Sequence, residues 1–221
     1  MTLKRLALAT AVALFASVAV SGLGSAASTP AIAAFENAFG SINDYTMDLR
    51  SHEQKGGASQ SRVYAYSFLK PHFAKTLIAS GDGSGSGGVW TGGDQVSGHQ
   101  GGILSGFHLK VGLHDGRAVS LMGYTIPDGL MQNIVAIYSG TPGRLSQHPG
   151  GQLAGVSTTM VELIPNNPLP VSGADRATIY FSNATHLPVR NIFYLGGRII
   201  LDQSFDNVRT NVGLTQGDFP F

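Results

Sequence analysis

Apolar and polar positions alternate with a period of two over most of this chain, and only twice does the rhythm change to that of a helix. Residues 31–42, AIAAFENAFGSI, place Ile32, Phe35, Phe39 and Ile42 on one face, with Glu36 and Asn37 off it. That spacing predicts an amphipathic helix, its last turn weakened by Gly40. Strand alternation then begins, with Tyr45, Met47 and Leu49 on one side and Thr46, Asp48 and Arg50 on the other. After the turn Lys55-Gly56-Gly57, residues 62–69 form the clearest strand, with Tyr64, Tyr66 and Phe68 sharing a face opposite Ala65 and Ser67. Lys70-Pro71 ends it, since proline cannot donate to a ladder. A strand over Phe73–Ala79, the glycine-rich turn Gly81–Gly88, a short strand Val89–Thr91 and the turn Gly92-Gly93-Asp94 follow. Further short strands are predicted at 94–99, 106–112 and 117–123.

The second helical stretch is 128–139, where Leu130, Met131, Ile134, Ile137 and Tyr138 recur at i, i+1, i+4, i+7 and i+8. Asp128 after Pro127 reads as its N-cap and Gly140 as its stop. Residues 140–155 read as turn chemistry throughout. Strands return at 155–164, 176–182, 188–195 and 198–205, joined by turns at Asn183–His186 and Gly196-Gly197. Short connections between successive strands predict antiparallel pairing, and two isolated amphipathic helices belong on one face of such a sheet. The predicted fold class is α+β: a strongly curved antiparallel sheet forming an unclosed β-barrel, with the helices on its concave side.

The N-terminus changes where this domain is expected to act. Lys4 and Arg5, the apolar run Leu6–Val20 and the small residues Ser25-Ala26-Ala27 read as a secretory signal peptide over residues 1–27. Residues 28–221 then form a single domain of 194 residues, long enough for a sizeable core. Of the chain's 14 Lys+Arg and 13 Asp+Glu, the mature part keeps 12 and 13, so it is near neutral. Neutrality argues against nucleic-acid binding and a polybasic membrane-surface role. Only 12% of residues are charged, about half the usual share. The chain has no cysteine. That removes disulfides, Cys-based zinc sites and a lipobox, so the protein is not itself expected to be a lipoprotein. After residue 20 no apolar run approaches the roughly 20 residues a spanning helix needs. The expected localisation is soluble and periplasmic.

Candidate chemistry is thin. Gly83-x-Gly85-x-x-Gly88 has the letters of a dinucleotide fingerprint, but a strand follows it where a helix N-terminus is required, and no Gly-Lys-Ser/Thr marks a P-loop. His52, His72, His99, His108, His114, His148 and His186 form no His-x-x-x-His or His-Glu-x-x-His pair. No Gly-x-Ser-x-Gly elbow occurs. Asp202 and Asp206 are available for paired-carboxylate chemistry, although loop or capping roles account for them. No catalytic residue, metal ligand or cofactor is assigned. The stronger signal is apolar: Tyr64, Tyr66, Phe68, Phe73, Trp90, Phe107, Tyr124, Ile179, Phe181, Phe193 and Leu195 recur on one strand face. They form either a filled core or the lining of a lipid-sized cavity that the helices fill only in part.

The order of motifs over residues 31–221 resembles the periplasmic outer-membrane lipoprotein carriers, the LolA-like proteins. The resemblance lies in the N-terminal helix leading into Tyr45-Thr46, in Tyr66-Ser67-Phe68-Leu69-Lys70-Pro71-His72-Phe73 and in Gly88-Val89-Trp90-Thr91-Gly92-Gly93-Asp94-Gln95-Val96. It continues through the mid-chain helix, Val161-Glu162-Leu163-Ile164-Pro165 and the tail from Phe205-Asp206-Asn207-Val208-Arg209-Thr210-Asn211 to Phe219-Pro220-Phe221. It implies a half-barrel lidded by helices around an apolar cavity that shields acyl chains, with no cofactor and no chemistry. On that implication, helix 128–139 is the lid. Phe35, Phe39, Tyr64, Tyr66, Phe68, Trp90, Leu130, Met131, Ile134, Ile137, Ile179, Phe181 and Phe193 line the cavity and lid, and an arginine that holds the lid is sought at Arg50 or Arg62. The implied role is that of a lipid or lipoprotein carrier in outer-membrane biogenesis, with lipid or lipoprotein acyl chains and inner- or outer-membrane envelope proteins as partners. An envelope sensor or interaction domain on the same fold is the alternative, followed by an exported hydrolase with an unrecognised site.

Overall fold

A computed structural model describes residues 28–102, 106 and 108–220. The signal-peptide reading of residues 1–27, and Phe107 and Phe221, lie outside the described residues. Helix α1 spans Pro30–Gly40 and helix α2 spans Met131–Gly140. Eleven strands accompany them: β1 Asp44–Lys55, β2 Ala58–Leu69, β3 Phe73–Gly81, β4 Gly87–Trp90, β5 Gln95–His99, β6 His108–Gly112, β7 Gly143–Leu153, β8 Val156–Pro165, β9 Arg176–Ser182, β10 Pro188–Leu195 and β11 Arg198–Thr210. They form one antiparallel sheet in the order β6-β5-β4-β3-β2-β1-β11-β10-β9-β8-β7. The first and last strands pair at its centre, and β6 and β7 remain as separate edges. The sheet is an unclosed half-barrel with two helices, as the alternation pattern predicted. No helix among the described residues is long and apolar enough to cross a membrane.

This topology dictates what covers the sheet. The chain leaves β6 at one edge and must re-enter as β7 at the other, so the connection crosses a face. It does so as an irregular loop over residues 113–126, a single 3-10 turn Pro127–Gly129, and α2. Both helices pack on this inner face. On α1, Ile32 and Phe35 are buried; Phe35 stacks on Phe39 at 5.4 Å and meets Phe181 at 6.0 Å between centroids. Thr29 Oγ1 accepts from Ile32 N, and the edge-strand Gln147 Oε1 accepts from Ala31 N at 2.9 Å, so two of the orphan amides at the helix start are satisfied. At the other end Lys70 Nζ donates to the Phe39 carbonyl at 2.8 Å and lies over its ring, a cation where the helix dipole favours one.

Three local expectations are corrected. Residues 117–123 are not a strand. Asp115 accepts from both the Arg117 amide and its guanidinium, and Ser120 and Tyr124 bond each other, so the segment folds into turns. Residues 140–155 are not turn throughout, because 143–153 form β7 and pair with β8 along their length. An edge strand tolerates Pro149, and the register shift between Pro149 and Gly151 absorbs it. Asp128 does not cap α2. It lies in the 3-10 turn, where its carboxylate accepts from Thr125 N and Oγ1 at 2.7 and 2.6 Å.

Candidate functional site

Polarity along the inner face of β1 changes from one end to the other. Tyr45, Met47 and Leu49 come first, then Ser51 and Glu53. Their β2 partners run Phe68, Tyr66, Tyr64, Arg62, Gln60, and the β11 partners of Leu49, Ser51 and Glu53 are Phe205, Gln203 and Leu201. The aromatic end is sealed. Tyr45 and Phe68 pack at 5.0 Å, Phe39 lies 6.4 Å from each, and Met131, Ile134, Val135 and Tyr138 of α2 are buried there. Helix α2 starts without a side-chain cap of its own, and the sheet supplies one: Tyr45 Oη accepts from Met131 N at 3.2 Å and donates to Gln132 Oε1 at 3.3 Å. Tyr138 Oη donates to Asn191 Oδ1 at 2.7 Å. Burial pushes the hydroxyls of Tyr45, Tyr66 and Tyr138 well above the ordinary tyrosine value, so all three stay neutral donors and acceptors.

Beyond Leu49 the cover is the crossing loop, and it does not seal. Leu113 N donates to Asp94 O at 2.7 Å, Leu121 N to Gln60 Oε1 at 3.0 Å, and Met122 N to Glu53 Oε2 at 2.8 Å. At its end Tyr66 Oη donates to Ile126 O at 3.2 Å. Gly129 passes so close to Tyr66 that a Cβ there would sit 2.7 Å from Cζ of the ring. Between loop and sheet is a cleft of about 780 Å³, within the range typical of small-molecule sites. Leu49, Tyr66, Ile78, Val96, Val111 and Ile126 give it apolar surface, while Ser51, Glu53, Arg62, Tyr64, Tyr124 and Gln203 give it a polar wall. Arg62 Nη1 donates to Tyr64 Oη at 3.2 Å and its Nε to Asp82 O at 2.7 Å. Burial raises the Tyr64 hydroxyl above its ordinary value, Arg62 opposes the shift, and the charge of Glu53 adds to it.

Of the thirteen residues expected around the cavity and lid, Tyr64 and Tyr66 line the cleft. Phe35, Phe68, Leu130, Met131, Ile134, Ile179, Phe181 and Phe193 are at most 2% exposed and lie in the core between helices and sheet. Phe39, Trp90 and Ile137 are half-buried against that core. Leu49, Ser51, Glu53, Ile78, Val96, Val111, Ile126 and Gln203 also line the cleft, and the aromatic pattern does not single them out. The legible signal is the switch from apolar to polar at Ser51 within an otherwise alternating strand. Of the two arginine candidates, Arg50 is on the outer face, 61% exposed and paired with Asp206 at 2.7 Å, and Arg62 is in the cleft wall. It is tyrosine hydroxyls that hydrogen-bond α2 to the sheet.

Two other constellations fall short of a site. His52 Nδ1 and Ser61 Oγ lie 2.8 Å apart, but they are exposed cross-strand neighbours on the outer face, and the other ring nitrogen meets Gln54 where a triad has a carboxylate. Among the described residues no three of His, Cys, Asp and Glu group as a metal site.

No family model matches the sequence, and no curated protein matches it. Solved structures match in fold. An uncharacterized conserved protein from Thermus thermophilus superposes with a TM-score of 0.55 at 9% identity, over 86% of this chain and 90% of that one. MucB superposes with a TM-score of 0.52 at 11% identity, over 87% of this chain but only 63% of MucB. The LolA superfamily protein NE2245 from Nitrosomonas europaea is also found, with a TM-score of 0.43 at 9% identity, over 88% of this chain and 99% of that one. At these identities the likeness is one of fold alone.

Proposed function

We propose that this protein is a non-enzymatic binder or carrier in the bacterial envelope that shelters the apolar part of a lipid or lipoprotein in the cleft between the inner sheet face and residues 113–126. The observation that carries this reading is that a cleft of about 780 Å³ persists beside a sealed core, lined by Leu49, Tyr66, Ile78, Val96, Val111 and Ile126. Each methylene taken from water into such a surface is worth about 0.8 kcal/mol. A chain of moderate length is therefore held firmly enough to cross water and loosely enough to be released. The export signal read over residues 1–27 supports action in the periplasm, and the absence of cysteine supports a carrier with no lipid anchor of its own. The sequence resemblance to LolA-like carriers supports the same reading and extends it to membership of that family, with envelope proteins as donors or acceptors.

A second reading, an envelope sensor or interaction domain, is favoured by the fold shared with MucB, which is also solved in complex with the protein MucA. The experiment that separates them is gentle purification of the mature chain followed by lipid mass spectrometry and displacement titration with a fluorescent acyl probe. Co-purified lipid and saturable one-site displacement are expected. A protein that carries no lipid and binds no probe, yet retains a protein partner from envelope extract, would overturn the carrier reading in favour of the second.

A further inference from the structure

The polar wall of the cleft is unusual for a surface that only shelters hydrocarbon. Glu53 is 3% exposed and opposite Leu201 on β11. Its Oε2 accepts one backbone hydrogen bond, from Met122 N, and among the described residues it has no cationic partner. A buried carboxylate so sparsely compensated is costly, and an apolar side chain would serve an acyl trough better. Ser51, two residues before it on the same face and 6% exposed, has an Oγ with no hydrogen-bond partner among the described residues. Facing Ser51 on β2 is Arg62. Its guanidinium is turned to the Asp82 carbonyl and the Tyr64 hydroxyl, and among the described residues no carboxylate neutralises it. All three residues line the one cleft. Arg62 and Glu53 are diagonal neighbours across the β1–β2 pair, a placement with backbones roughly 7–8 Å apart, yet they do not bond each other. The wall thus presents a cation and an anion without counter-charges, and a hydroxyl without a partner, next to apolar surface.

We infer that the cleft is built for an amphiphile with a zwitterionic head, its ammonium bound by Glu53, its anionic group by Arg62 and an ester or hydroxyl oxygen by Ser51, with the chain along Ile78, Val96 and Val111. This assignment rests on the proposed sheltering of an apolar chain and adds the class of head group. A single-charge head leaves either Glu53 or Arg62 uncompensated, and a neutral one leaves both.

The test uses three probes of equal chain length below their micelle concentrations, lysophosphatidylethanolamine, the fatty acid and the alkylamine, titrated into the mature protein. The lysophospholipid is expected to bind about ten-fold more tightly than either single-charge probe, the value of one charged hydrogen bond. Glu53→Gln, which keeps an acceptor for Met122 N, is expected to weaken the lysophospholipid and the amine about ten-fold and leave the fatty acid unchanged. Arg62→Gln is expected to weaken the lysophospholipid and the fatty acid and leave the amine unchanged. Should either variant fail to fold by circular dichroism, the wild-type ranking decides alone. Equal affinities for the three probes, or variants that weaken all three alike, overturn the zwitterion assignment while the sheltering reading stands. Failure of every probe to bind overturns both.

Discussion

One crossing segment covers the inner face of the sheet twice, and the two coverings leave different things behind. Where α2 lies on Tyr45 and Asn191, its Met131, Ile134, Val135 and Tyr138 are buried and even the polar atoms are matched: Met131 N to Tyr45, Tyr138 to Asn191. Where residues 113–126 lie over Ser51, Arg62 and Tyr64, they touch the sheet through a few hydrogen bonds and leave a cleft. A helix presents a continuous apolar stripe every three to four residues and fills the pleated surface opposite it. An irregular loop anchored by buried Met122 has no such stripe. In this molecule close packing is concentrated under the helices, and open space under the loop.

A charge placed in each region is expected to have the largest and most unequal effect. Ile134→Glu sets a carboxylate without a partner into the sealed core and is expected to cost about 4 kcal/mol or more, losing the cooperative thermal transition in circular dichroism. The same change at half-buried Val111, on the edge strand in the cleft, is expected to cost no more than about 1 kcal/mol. A near-wild-type melting point for Ile134→Glu refutes the sealed region.

Gly129→Ala comes next. The new methyl overlaps the Tyr66 ring and must lift the 3-10 turn where the two coverings join. A loss of about 1–3 kcal/mol is expected by urea unfolding. Tyr45→Phe sharpens the picture of the helix start. With the hydroxyl gone, Met131 N is buried without an acceptor, at a cost of about 1–3 kcal/mol.

Alkaline pH probes the same region. The unfolded chain releases tyrosine protons near pH 10.0, while burial keeps Tyr66 and Tyr138 protonated above it. The folded state then holds more protons, so stability is intact below that pH and falls as pH rises beyond it. Each such tyrosine contributes a slope of up to about 1.4 kcal/mol per pH unit. Tyr138→Phe is expected to make the slope shallower by that amount, read from urea midpoints across the alkaline range. The smallest effect on stability is expected for Val111→Trp, within about 0.5 kcal/mol. By filling the cleft it should nevertheless weaken acyl-probe binding about ten-fold, and unchanged binding would remove the ligand from the loop-covered region.

Period-two alternation on strands and period-3.6 spacing on two segments made the α+β class and both helices legible, and short connections the antiparallel pairing, because these patterns are local consequences of which side chains face away from water and of how far the chain can reach. The stretch 143–153 was not legible as a strand, because Pro149, Gly150 and Gly151 are turn residues by local rule, and only the length of its pairing with β8 makes them a bulged edge strand. Residues 117–123 differ in the opposite sense, since alternating Val119 and Leu121 do not announce that Asp115 and Glu53 fold the segment back.

Where the space lies was beyond the pattern. Phe181 and Phe193, which reach the sealed core, and Tyr64, which reaches the cleft, obey the same alternation. Alternation assigns a side chain to a face but not to what arrives opposite it. The chain alone carries the inward face of most strand residues and the rise of polarity at Ser51 and Glu53; Phe73, which pairs with Leu69 on the opposite face, and Leu195, 41% exposed beyond a register shift, depart from that expectation. That a helix closes one end of that inward face and a loop leaves the other open is a property of the assembled sheet. That outcome depends on the crossing from β6 to β7, an arrangement of edges far apart in the sheet that no local period encodes.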